Sequence, residues 1–118
     1  MDDKPIERLT ADELNAALAV EVMGWHIIDV ARRCWRDERG MVMGYGMWRP
    51  ADNAAQALQC LEALRARGWY MSGAASAAED DWVIPLYNDR LRRDERGDGA
   101  TFALALSRAC LAAARSGP

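Results

Sequence analysis

Met47–Gly73, MWRPADNAAQALQCLEALRARGWYMSG, reads as one helix with a marked start and stop, followed at once by an aromatic strand. Its apolar residues Ala54, Ala57, Leu58, Leu61 and Leu64 fall on one face of a 3.6-residue repeat. Pro50 and Asp52 stand where a helix begins, and Asp52 or Asn53 can cap the free N–H groups of the first turn. Arg65 and Arg67 load the last turn with positive charge, which the helix dipole favours. Gly68 is placed to end the helix in the left-handed conformation.

Working back from this helix, residues 1–9 form a polar tail and residues 10–118 a single domain. Thr10-Ala-Asp-Glu13 is a capping box, and Ala11, Leu14, Ala17 or Leu18, Val22 and Trp25 repeat at helical spacing behind it. The spacing predicts a helix over 11–23, stopped by Gly24. Trp25–Trp48 then reads as a hairpin, with strands Ile27–Cys34 and Met41–Met47 around the polar turn Arg36–Gly40. Gly44 and Gly46 leave one face of the second strand bare, a place for a helix backbone to pack closely.

Beyond the central helix lies a second hairpin, Trp69–Ala74 and Asp81–Tyr87. Pro85 cannot donate a ladder bond, which puts its strand at an edge. Residues 88–99, NDRLRRDERGDG, read as a charged loop. Ala100–Arg115, ATFALALSRACLAAAR, is a helix so apolar that it must be largely buried in the chain or covered by a partner, a second copy included. The order α-β-β-α-β-β-α predicts an α+β domain: a four-stranded, mostly antiparallel sheet with helices on both faces.

A chain of 118 residues can bury roughly two-thirds of its unfolded surface, enough for a core without metal or disulfide staples. It is 51% apolar and 28% charged, with a net charge of −3 and acids interleaved among the arginines. Neither half is a basic lobe, so the long-range field does not favour nucleic acid. Cys34, Cys60 and Cys110 are odd in number and widely spaced, which fits reduced thiols in a cytoplasmic protein. MDDKPIERL is too charged for a signal peptide, and no window has the length of a membrane span.

Ala19-Val-Glu-Val-Met-Gly-Trp25, the central helix with Arg67-Gly68-Trp69, and the alanine- and leucine-rich stretch Ala100–Ala113 together resemble the phage ABA-sandwich domain, a small family of phage and prophage proteins. The resemblance runs from about residue 14 to 114, while Cys34–Met47 departs from the pattern. It implies helices on either side of a sheet. It implies no activity and carries no catalytic residues, because the family's function is unknown.

The residues themselves offer no catalytic, metal or cofactor motif. His26 has Asp29 three residues on but no second histidine and no nucleophile beside it, so it reads as structural. Five tryptophans against one phenylalanine raise the possibility of exposed anchors for a partner. Trp48-Arg49 at the mouth of the central helix is the first candidate and Trp35-Arg36 at the hairpin turn the second; packing in the core is the bland alternative. The expected role is therefore a non-enzymatic accessory protein of the host bacterial cytoplasm that binds another macromolecule, a host or defence protein. The alternative is a nucleic-acid module in which Arg32, Arg33, Arg90, Arg92 and Arg93 converge on one face.

Overall fold

Thr10 begins the first helix as the capping box requires. Its hydroxyl accepts the Glu13 N–H, and its own N–H donates to the Glu13 carboxylate at 2.9 Å. The computed structural model describes residues 4–29, 34–36, 39–78 and 81–116, and α1 occupies Ala11–Glu21. The Thr10 N–H, with Lys4 at 3.0 Å, holds the Glu13 carboxyl below its ordinary pKa. Helix α2 spans Ala54–Arg65; of the two caps the sequence offers, Asn53 is used, its side-chain oxygen accepting the Gln56 N–H at 3.0 Å. Gly68 takes φ +98° and turns the chain into the next strand. The buried face of α2 is Ala57, Cys60, Leu61 and Leu64. Leu58, expected on that face, is 41% exposed. It stands about 100° round the helix from Ala57, and Cys60 takes the inward place.

Between α1 and α2 lies a three-stranded antiparallel sheet of β1 (His26–Asp29), β2 (Cys34–Arg36) and β3 (Val42–Gly44). Ile27 stands opposite Trp35, so the stretch read as one strand is divided between two. The close packing expected at Gly44 and Gly46 is not there: a Cβ at either would meet nothing within 4 Å.

The second sheet is the expected four-stranded antiparallel one, built from β4 (Trp69–Met71), β5 (Ala75–Ala78), β6 (Asp81–Asn88) and β7 (Arg93–Gly99). With the three helices it gives the expected α+β class. Its membership differs from the sequence reading: the first hairpin lies in the other sheet, the connection after Ala74 supplies β5, and the charged loop of residues 88–99 is a tight turn followed by a strand. β7 pairs with β6 along its whole length, from Asn88 opposite Arg93 to Trp82 opposite Gly99. β4 and β5 share the other edge of β6, with Met71 opposite Leu86 and Ala75 opposite Val83. Pro85 is therefore in the central strand and not at an edge. It is tolerated because it faces the break between β4 and β5: the Pro85 carbonyl turns that way and accepts the Ser72 N–H at 3.0 Å, so its nitrogen, on the same side, is not asked for a ladder bond.

Strand alternation sorts the sheet into two faces. Ile84, Leu86 and Asn88 of β6 turn to one side and are fully buried, as is Trp69 opposite Asn88. Gly97 and Gly99 of β7 lie on the same side, opposite Ile84 and Trp82. Helix α3 (Phe102–Ser116) rests directly on these glycines. A Cβ built on Gly97 would stand 2.1 Å from the Ala105 carbonyl oxygen and 2.3 Å from the Ala109 nitrogen; one on Gly99 would stand 2.9 Å from the Ala105 nitrogen. Helix and strand thus meet backbone to backbone, which only glycine on one side and alanine on the other permit.

α1 and α2 in turn pack against α3, and Leu14, Leu18, Leu61, Leu64, Leu106 and Leu111 join Trp69, Ile84 and Leu86 in one core. The apolar surface of α3 is thus taken up within the chain. It also follows that the helices, expected on both sides of the sheet, gather on one. The opposite face, with Tyr70, Val83, Pro85 and Tyr87, carries no helix among the described residues.

Candidate interaction surface

The first candidate anchor proves to be an interior joint. Trp48 is 3% exposed, and its ring lies 4.6 Å from that of Trp25 at 58°. Its indole N–H donates to the Gln59 side chain at 2.9 Å, a partner a buried indole needs. Arg49 spans the starts of two helices, donating to Asp12 at 3.0 Å and to Asp52 at 2.9 Å. Those bonds, Asp12 first, raise its pKa further. Trp48 thus takes the bland alternative, because the chain entering α2 passes under α1 and carries the ring inward.

Arg36 ends β2 exposed, with Val42 on one side and His26 on the other. His26 is exposed at the start of β1. The Trp35 side chain, Arg32 and Arg33 lie outside the described residues. Arg90 and Arg92 are exposed in the turn between β6 and β7, whereas Arg93 is spent on the Ser116 carbonyl at the end of α3. Of these three, Arg93 is thus committed to the end of α3. Cys60 and Cys110 are buried free thiols; burial pushes Cys60 up to about 12 and Cys110 well above its usual value, so neither is poised as a nucleophile. Among the described residues no three metal-ligating side chains gather, and no helix is long and apolar enough to cross a membrane.

What the fold leaves open lies around β7. On the helix-free face, Tyr70 and Tyr87 stand opposite each other across β4 and β6, rings 5.8 Å apart and edge to face. Tyr70 is 41% exposed; desolvation, then Asp89 and Tyr87, raise its hydroxyl pKa. Asp94, Arg96 and Asp98 of β7 project on the same face, since they stand opposite Tyr87, Pro85 and Val83.

Among the described residues, the outer edge of β7 is unpaired along most of its length. In an antiparallel ladder alternate residues turn their N–H and C=O to one edge and then the other. Because Pro85 turns its carbonyl away from β7, its partner Arg96 turns its own N–H and C=O outward, and Asp94 and Asp98 follow. One bond reads out this phase: Arg108 of α3 reaches over the edge and donates to the Asp98 carbonyl at 2.8 Å. Among the described residues nothing pairs with the outward groups of Asp94 and Arg96. A groove of about 560 Å³ runs beside Glu95, Arg96, Gly97 and Asp98, walled by Pro5, Ile6 and Glu7 on one side and roofed by Arg108 and Ala112 of α3. These residues escaped the sequence reading. The one signal was the period-two placement of glycine at 97 and 99 among charges, which marks a strand under a helix.

No protein-family model matches this chain, and no curated protein and no solved structure matches it. The class stands on the fold alone: an α+β protein whose four-stranded sheet is covered by helices on one face and carries none on the other among the described residues.

Proposed function

We propose that this is a small non-enzymatic accessory protein, of phage or prophage origin, that acts in the host cytoplasm by binding another protein, with a host defence component as the first candidate. The observation that carries the reading is the uncovered side of the second sheet, where the Tyr70–Tyr87 pair and the open edge of β7 adjoin. Tyrosine and arginine on an open surface are the residue types that anchor protein interfaces. The phage assignment is supported by the resemblance of Ala19–Trp25, the α2–β4 passage and α3 to the phage ABA-sandwich family.

The test is a tagged pull-down from the natural host, with and without nuclease, comparing wild type with Tyr70→Ala. One stoichiometric protein that survives nuclease and is lost with Tyr70→Ala is the expected result. A catch that vanishes with nuclease would transfer the assignment to nucleic acid, with Arg90 and Arg92 as the contacts to test next.

A further inference from the structure

We infer that β7 is a docking edge for an extended segment of the protein partner, which adds as an antiparallel strand across Asp94–Gly97 with an acidic side chain opposite Arg96 and a basic one opposite Asp94. The inference rests on the reading that the protein binds another protein, and it names how. Asp94 and Arg96 present two N–H and two C=O groups along the outer edge of β7, Arg96 within the groove and Asp94 just beyond its lining, and only another backbone matches that spacing. The groove is closed at one end by Arg108, which occupies the Asp98 carbonyl and also reaches the Glu7 carbonyl at 3.4 Å. That sets the register, because pairing cannot run on past Gly97.

Side-chain preference follows from the alternation. Partner residues opposite Asp94 and Arg96 lie on the helix-free face beside those charges. Residues opposite Glu95 and Gly97 turn the other way, toward Ile6 and Ala112, where a small apolar side chain fits. Read in the partner's own direction, the segment is apolar, acidic, apolar, basic.

A second copy of this chain does not fit. α3 stands directly over β7, since a Cβ added at Gly97 would run into the Ala105 and Ala109 backbone. Two-fold pairing of β7 with itself would bring two α3 helices to within about one strand spacing, roughly 5 Å. Packed helices need about 8–10 Å between axes. The occupant is therefore a strand that brings no helix of its own over the join.

The test uses the full-length ¹⁵N-labelled protein and the capped peptide Thr-Val-Glu-Val-Lys-Thr at millimolar concentration. The expected result is movement and slowed exchange of the Asp94 and Arg96 amides. Methylating the peptide nitrogen of its Glu, which faces β7, should weaken binding about tenfold. Methylating the Val between Glu and Lys, whose nitrogen faces away, should change it by less than about twofold. Exchanging the Glu and Lys should also weaken it. Indifference to the position of the methyl group, or no response at Asp94 and Arg96, would overturn the inference. In the pull-down, Arg96→Pro removes the outward N–H. A partner that Arg96→Pro retains and Tyr70→Ala loses would overturn the edge while leaving the binding assignment in place.

Discussion

Gly97 is where one atom decides most. Its missing Cβ is the space that the Ala105 carbonyl and Ala109 nitrogen fill. Neither neighbour is a movable side-chain tip, so Gly97→Ala must push α3 off the sheet. The expected cost is about 3 kcal/mol, the upper end for overpacking, measured by urea denaturation. Gly44→Ala, where a Cβ meets nothing, should stay within about 0.5 kcal/mol. A sequence reader sees a glycine opposite a bare strand face and infers a close approach, which is right as physics but points to Gly44 and Gly46; composition does not say which strand a helix will lie on. Cys60 makes a second residue-scale prediction. Burial raises its pKa from 9.0 to about 12, so the folded state keeps a proton that the unfolded state gives up. The stability tied to that proton is whole below pH 9.0 and drains away as the pH rises toward about 12. Unfolding free energy should fall through this window, and Cys60→Ala should remove up to about 1.4 kcal/mol per pH unit of the slope.

At the scale of elements, the helices were legible and several strands were not, β7 above all. Capping residues and a 3.6 repeat act locally, so Thr10, Asn53 and Gly68 could be read in place. Thr10→Ala should cost about 1 kcal/mol and Thr10→Ser little, by thermal or urea unfolding. β7, Arg-Asp-Glu-Arg-Gly-Asp-Gly, has no apolar residue, and every local signal it carries is that of a solvated loop. It is a strand because β6 offers it a ladder and α3 covers its glycines, and both facts are tertiary. Pro85 misled for a related reason: the rule that proline avoids central strands assumes unbroken neighbours, and here β4 gives way to β5 opposite it. The same alternation makes a prediction for β7. The Glu95 and Gly97 amides, turned toward β6, should exchange slowly, while those of Asp94 and Arg96 exchange fast; uniform protection would mean that the outer edge is already paired.

For the whole molecule, the core is continuous: α1, α2, α3, β4 and β6 all contribute to it. Trp25, Trp48 and Trp69 are buried within it. Tryptophan fluorescence and far-ultraviolet circular dichroism should therefore report one coincident unfolding transition, and separated midpoints would mean independently folding parts. The α+β class and a four-stranded antiparallel sheet could be read from the order of elements, but the separation of the first hairpin into a sheet of its own could not. The side of the sheet on which the helices gather could not, because it depends on the amphipathic face of α3 being divided between the sheet and two other helices. The surface proposed for binding was invisible for the same reason, being defined by what is left uncovered. The backbone-to-backbone seat of α3 on β7 also carries a consequence for the growing chain. A nascent polypeptide that has reached Gly99 holds seven residues with no greasy side chain to keep them on β6. Until α3 has been synthesised and settles, that stretch behaves as the loop its composition describes, and the finished sheet is a late event in the life of each molecule.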